Sequence, residues 1–423
     1  MKKQLLRHPL LILAALFFIA SFISCRKETS QSRQQEKISL LNNAHSNSKK
    51  VYINNVEELY AAINDPENDG VTLVLSEGTY NLSPSFPKAG RLELRHDMSL
   101  MGEEGHPESV IIDVTGLPNA SFTVPPTPAI PLGVRTGAVR MGDGTNSIGW
   151  ITIQNNPTHQ LRSLIQTDIV ATPVAEIRVA HCILKGGNIA LNLINRDKVA
   201  NGRTINADIE ENEMMNNTLQ IFGTAIEIGN SNEVDDAVIH ATLRGNYLHG
   251  NRNGITAVNS STLRCNIELV SYADKIEDNG LGLNLSAGFS EDLARPTLNN
   301  SVKFDAYGTS IKNNNGNPTP PLSYTPGGVL AEAGVCSPPF GLPGSVSNNN
   351  LEINFHGCPI EHNVGNYQIN VYGGLSLYPL PTPVGTYNAT TLRLFGISSD
   401  ATVNAVASVP VEPAATNTVS VYR

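Results

Sequence analysis

The sequence predicts an all-β solenoid, and three observations predict it. A six-residue phrase recurs: a small or polar residue, any residue, an apolar residue, two more, then Asn. It reads NEMMNN at 212–217, NYLHGN at 246–251, DKIEDN at 274–279, TSIKNN at 309–314 and CPIEHN at 358–363, with looser copies ITIQNN at 151–156 and CILKGG at 182–187. The last positions are spaced by 31, 30, 34, 28, 35 and 49 residues, the widest gap holding a Pro/Gly insert. Second, the later copies follow alternating segments (AEIRVAH, NADIEEN, HATLRGN, NIELV, SVKFDAY, NLEINFH), and several precede others (GTAIEIGN, NGITAVN, LGLNLS, YQINVYGG). Alternation of period two marks half-buried strands, and Asn and Gly mark turns. Third, no helical pattern separates the units. A unit of strand, turn, short strand, turn and strand cannot bury its apolar face alone; stacked copies share one core.

The elements follow in chain order. Lys2, Lys3 and Arg7 precede an uncharged, mostly apolar run, Leu10 to Phe22, which reads as a signal peptide (1–24) rather than a membrane span. The Ser24–Cys25 junction resembles a bacterial lipobox, although Phe22 stands where Leu is usual. The resemblance implies that Cys25 is lipidated and becomes the N-terminus; the alternative is an ordinary secretory peptide with an incidental Cys. Arg26 rather than Asp follows, which by resemblance to Gram-negative lipoproteins implies the outer membrane, with the leaflet open. Residues 26–49 are rich in Ser, Gln, Asn and charge, so residues 25–49 read as a flexible tether. VEELYAAI (56–63) puts Val56, Leu59, Tyr60 and Ile63 on one helical face, with Asn55 as N-cap and Glu58 three residues on. Such a helix covers the open end of a solenoid. VTLVLSEGTYNLS (71–83), GRLELRHDMSLMGE (90–103) and SVIIDVTG (109–116) read as the first rungs. In the repeats Ile and Leu point inward and Asn turns the corner, so that Asn217, Asn251, Asn279 and Asn314 stack as a ladder. The repeat domain spans 50–375, and 376–423 reads as capping strands.

GVTLVLSEGTYNL followed by MSLMGEEGHPESVIID is similar to the opening of right-handed parallel β-helix proteins of the pectate-lyase-like superfamily. The resemblance covers roughly residues 51 to 375 at the level of rungs. It implies a right-handed parallel β-helix and points to carbohydrate, but is weak for activity.

Totals bound the function. A net charge of −9 argues against a broad positive face for nucleic acid. Of five cysteines, Cys25 is assigned to lipid. The compartment is oxidising, so Cys336 and Cys358 are a candidate disulfide, while Cys182 and Cys265 read as buried small hydrophobes. No Cys/His spacing suggests zinc, no Asp/Glu set suggests calcium, and no phosphate loop occurs, so no metal or cofactor is expected.

Chemistry is sought on outward columns. The residue after the inward apolar one in each phrase is Gln154, Lys185, Met215, His249, Glu277, Lys312 and Glu361. With Leu248, Ile276 and Ile311 facing in, His249, Glu277 and Lys312 face out in line, about 4.8 Å apart. A His, a carboxylate and a Lys converging on one face suit acid–base work on a sugar; a solvated ladder of mixed charges is the alternative. A second line runs through Glu210, Arg244, Glu268 or Val270, and Asp305. In the superfamily's polysaccharide lyases an Arg or Lys commonly abstracts a proton beside a uronate carboxylate, and Arg244 resembles such a base. Asp235–Asp236 superficially resembles the paired Asp of polygalacturonase-type hydrolases; that family's companion motifs are missing, so the pair reads as a loop. Trp150 reads as core or edge packing rather than a sugar platform. The Pro-rich segments 117–132 and 317–344 are candidate cleft walls.

Three readings remain: a polysaccharide lyase or glycoside hydrolase, a non-catalytic glycan-binding or adhesive surface protein, and a structural envelope component. Acidic residues crossing adjacent rungs in a loop face favour the first, and exposed aromatics in line favour the second. The sequence commits to an envelope-anchored β-helix lipoprotein with a carbohydrate-related role, its partners the membrane and a polysaccharide, and leaves catalysis open.

Overall fold

The computed structural model describes residues 49–118, 137–156, 163–218, 223–231, 233–290, 295–315, 327–336, 346–365, 367–376, 386–397, 401–409 and 416–423. Cys25, the signal peptide and almost all of the tether lie outside the described residues, as does most of both Pro-rich segments.

Among the described residues the strands form three long parallel sheets, the first of twelve strands, the second of eleven (ten in one path and one that pairs off it) and the third of nine, wound as a right-handed parallel β-helix. One turn of the coil shows the pattern: Val238–Arg244 joins the first sheet, Tyr247–His249 the third and Asn253–Ser260 the second. The next turn repeats it in register, Ile239 against Ile267, Leu248 against Ile276 and Ile255 against Leu283. The core is therefore built of columns. Ile153, Leu184, Met214, Leu248, Ile276, Ile311 and Ile360 form one, all buried. Each such aliphatic side chain contributes roughly 1.5–3 kcal/mol by leaving water.

Corners recur as faithfully as strands. Where the first sheet turns into the third, Trp150, His181, Glu211, Gly245, Ala273, Gly308, Gly357 and Gly396 all have φ between 50° and 64°. Each from Trp150 to Gly357 donates its N–H to a carbonyl of the following rung. Gly meets this left-handed demand most cheaply, and the stack tolerates Trp and His there because it over-determines the turn.

The next residue inward carries a hydrogen-bonded column, Asn212, Asn246 and Asp274, each Asn donating from N and Nδ2 to the Oδ1 of the next member. At the corner between third and second sheets the expected ladder forms: Asn217, Asn251, Asn279 and Asn314 bond in series through Oδ1 and continue to Asn363 and Gln368. One detail differs from expectation. The left-handed residue is the one before, Asn216, Gly250, Asp278, Asn313 and His362, and the ladder Asn points inward after the turn. Two further columns, Asn300–Asn349–Asn388–Asn417 and Asn195–Asn230–Asn259, pin the third corner.

The helix spans Val56–Asn64 and buries Leu59, Tyr60, Ala62 and Ile63, with Val56 partly buried against the core. Asn55 Oδ1 accepts from Glu58 N at 2.8 Å, and Glu58 returns a bond to Asn54 N. Glu58 thus reaches back to the N–H of the residue before the N-cap, a variant of the reciprocal capping arrangement that the sequence predicts. The Asn54 N–H bond does most to hold the Glu58 carboxyl below its usual range; burial opposes it, and the side-chain amides of Asn54 and Asn55 add to it.

The rungs do not stop at 375. Ala389–Phe395 pairs with Asn350–His356, Val403–Val409 with Ile369–Ser376, and Thr418–Tyr422 with Ala389–Phe395. The C-terminal strands continue the stack in register instead of forming a separate cap, because their inward positions, Leu392 and Leu394, keep the core alternation.

The Cys336–Cys358 disulfide is not formed. Cys358 is a free thiol, buried in the core, with Sγ 3.4 Å from Ala306 O. It occupies the inward corner position that Asn246 and Asp274 hold on earlier rungs, whereas Cys336 belongs to a strand of the second sheet. Cys182 and Cys265 are buried free thiols as expected, and burial pushes them up to about 12 and about 11.

Candidate functional site

The predicted outward column exists. Gln154, Lys185, Met215, His249, Glu277, Lys312 and Glu361 pair rung by rung along the third sheet. His249, Glu277 and Lys312 thus lie on one face of three successive rungs, half-buried. Their polar atoms are nonetheless spent on separate partners. His249 Nε2 meets Glu213 Oε1 at 2.9 Å while its ring stacks on Tyr247 with centroids 4.1 Å apart. Glu277 Oε1 accepts from Ser310 Oγ at 2.6 Å, and Lys312 Nζ lies 2.6 Å from Glu361. The face reads as a ladder of local pairs.

The second predicted line breaks. Glu210 and Arg244 are paired in register, but the column continues to Tyr272, Tyr307, His356 and Phe395. Val270 and Asp305 belong to a parallel column through Asp208 and Thr242, and Glu268 to a third through His240. Each shift of two residues keeps the outward face and changes the column, which alternation alone cannot detect. Arg244 Nη1 is held by Asp208 Oδ1. Burial dominates that carboxyl and raises it, with Arg244 opposing. Asp236 takes a two-point bond from Arg264 at 2.7 and 2.8 Å, and Asp235 is held by Arg295. Trp150 stacks on His181 at 3.9 Å, which closes one face of the indole.

An aromatic stripe does occur. Tyr272, Tyr307, His356 and Phe395 stack on successive rungs with centroids 5.3, 4.5 and 4.6 Å apart and planes within 14°. The rings cover one another's faces and show their edges, so the stripe stabilises the rungs more than it offers platforms for sugar.

The second sheet carries a different kind of face. One outward column runs Glu93, Arg140, Gln166, Asn192, Glu227, Thr256, Asn284, Leu330, Asn370 and Asn404, each paired with the next. Nine of these ten side chains are polar, and several are buried, Arg140 and Gln166 at 1% exposure and Asn192 at 0%. At the N-terminal end Arg140 donates from Nε to Asp168 at 2.7 Å and from Nη1 to Glu93, which also takes Lys88 at 2.7 Å. Arg203 caps the carbonyls of Thr167, Gly142 and Ile169, and burial lowers it to about 10.

Further along, hydrogen-bonding capacity is unspent. Both amide atoms of Asn192, Thr256 Oγ1, and the hydroxyls of Ser163, Ser286 and Ser290 are buried without a partner. Asn192, Thr256 and Ser286 lie on outward columns of this face, and each such group costs roughly 1–3 kcal/mol, so they call for an explanation. In the column two residues on, Glu332 lies between Ser286 and Tyr372. Burial alone pushes its carboxyl up to about 8, so it is a neutral acid near pH 7. Such a perturbed group among unpaired polar atoms marks a functional-site candidate. Among the described residues no cluster of His, Cys, Asp and Glu is placed to hold a metal ion.

Sequence reasoning missed this column although its signal was present. In TAIEIG, GITAVN and GLNLS a polar residue, Glu227, Thr256 and Asn284, stands at the outward step between two apolar residues. Alternation marks these segments as strands, but it does not say which of their outward residues fall into one column.

No protein-family model matches the chain, and no curated protein matches it. Solved structures do. The A-module of the Azotobacter vinelandii mannuronan C-5 epimerase AlgE4 is 11% identical, with a TM-score of 0.36, over 87% of this chain and 97% of that one. The A-module of AlgE6 from the same organism is 13% identical, with a TM-score of 0.33, over 84% and 95%. The PL6 family alginate lyase AlyGC is 10% identical, with a TM-score of 0.28, over 84% and 53%. Likenesses at this distance carry no argument about substrate or chemistry, so the functional reading rests on this chain's own residues.

Proposed function

We propose that this protein binds a polysaccharide along the outward face of its second sheet, as an envelope-anchored lipoprotein. The observation that carries the reading is the column from Gln166 to Asn284, five polar side chains on five successive rungs, with buried donors and acceptors left unpaired beside it. A polysaccharide repeats hydroxyls along one axis at spacings of the same order as a rung. A rigid stack presenting amides, hydroxyls and a carboxylate at a regular interval answers that repeat without an ordering cost. Binding is favoured over cleavage because His249, Glu277, Lys312 and Arg244 are engaged with Glu213, Ser310, Glu361 and Asp208.

The test is affinity electrophoresis of the full chain through gels containing neutral and acidic polysaccharides, with reducing ends and unsaturated products followed in parallel. Retardation without product supports the binding reading. Product replaces it with a processing enzyme, and migration unchanged in every gel removes it. Anchoring rests on Cys25: Cys25→Ala is expected to release the protein from membranes, and unchanged membrane association counts against the lipid.

A further inference from the structure

The far end of the second sheet's face differs from its beginning. Glu332 is 5% exposed and, among the described residues, has neither a hydrogen bond nor an ion pair. Its neighbours in register are Ser286, whose Oγ is buried without a partner, and Tyr372. One column over, Asn404 Nδ2 donates to Asn370 Oδ1 at 3.0 Å and lies 3.3 Å from Tyr372 Oη. The two strands that pair with Glu332 over these residues, Leu281–Ser290 and Ile369–Ser376, bring no other titratable side chain than Tyr372. Across 284–286, 330–332, 370–372 and 404–406 there is no Lys or Arg.

We propose that Glu332, with Ser286 and Tyr372 on the adjoining rungs and Asn370 and Asn404 beside them, forms a binding site for a neutral sugar unit, one that carries hydroxyls and no carboxylate. The inference rests on the polysaccharide reading and names its ligand class. A uronate carboxylate placed here would lose its water with no cation to receive it, a cost that unpaired buried charge does not recover. A sugar hydroxyl or ether oxygen meets the opposite situation. The neutral Glu332 carboxyl donates to it, and the Ser286 and Tyr372 hydroxyls and the Asn amides supply further donors and acceptors. The ligand then pairs the Glu332 carboxyl and the Ser286 hydroxyl, which the fold leaves without a partner among the described residues, and a hydroxyl-recognising site of this kind selects against ligands lacking the hydroxyl.

Affinity electrophoresis of the full chain in laminarin, xylan and galactomannan gels, against alginate and polygalacturonate gels, tests this. At pH 6.5 the wild type should be retarded by at least one neutral polysaccharide. Glu332→Ala should weaken that retardation by about tenfold, the weight of one or two net hydrogen bonds. Glu332→Gln keeps a neutral donor and should bind nearly as the wild type does. Raising the pH to 9.5 should weaken the wild type and leave Glu332→Gln unaffected. A thermal melt of both variants separates lost binding from lost folding. Neutral binding indifferent to Glu332→Ala, or retardation by the polyuronates alone, overturns the inference while the polysaccharide reading stands. No retardation in any gel overturns both.

Discussion

The third and second sheets present outward faces built on the same rungs, yet they have spent their polar groups differently. On the third, His249, Lys312 and Glu361 pair at the surface and Glu277 accepts from a serine. On the second, Asn192, Thr256 and Ser286 are buried unpaired, and Glu332 is forced neutral. A column of charges at a solvated surface satisfies itself at little gain. A column of buried amides and hydroxyls retains binding capacity at a cost to stability. The difference teaches that residue types in line do not make a site; what their atoms still lack does.

The largest effect should come from the shared corner that holds both faces in register. Asn251→Ala removes the acceptor of Asn217 N and Nδ2 and the donor to Met214 O. Several buried groups are left unpaired, and we expect a loss of about 5 kcal/mol in urea denaturation. A loss below about 1 kcal/mol would show that the ladders are not what aligns the two faces.

Next comes the ionisation of the second face. Glu332 has its folded value raised from 4.5 to about 8, so its contribution is fully present below about pH 4.5 and is lost as pH rises through about 8. Glu332→Gln should remove that loss and be more stable than the wild type by about 4 kcal/mol at pH 8. Equal stability of the two proteins from pH 5 to 9 would put the carboxyl in water and erase the contrast between the faces.

A smaller shift belongs to Asp274, the one acid in its asparagine column. Burial raises it from 3.8 to about 6, against bonds from Ser271 and Asn246. Its contribution is complete below about pH 4 and lost as pH rises through about 6. Asp274→Asn should gain about 3 kcal/mol at pH 7 and flatten the profile between pH 4 and 7. The smallest effect is expected on the third face, where His249→Ala should leave the denaturation midpoint within experimental error and polysaccharide retardation unchanged. A lost retardation would move the site to that face.

Legibility followed repetition. The Asn217–Asn314 ladder was readable because it closes a phrase with a fixed apolar position. The column Asn212–Asn246–Asp274 opens the same phrase, and its sequence position was in view as a small or polar residue, but polar character alone does not say inward. The line Glu210–Arg244 was readable for one step only, since Tyr272 and Asp305 share an outward face and only pairing decides which is the neighbour.

By itself the sequence determined the stack: the alternation, the turn residues, the inward aliphatics and the capped helix are local properties that each rung states again. Tertiary structure decided the columns and the solvation of each one. Register between rungs sets which side chains are neighbours, and burial sets whether their donors and acceptors are answered by water, by each other or by nothing. Those two quantities separate the paired ladder at His249, Glu277 and Lys312 from the unpaired face at Asn192, Thr256 and Glu332.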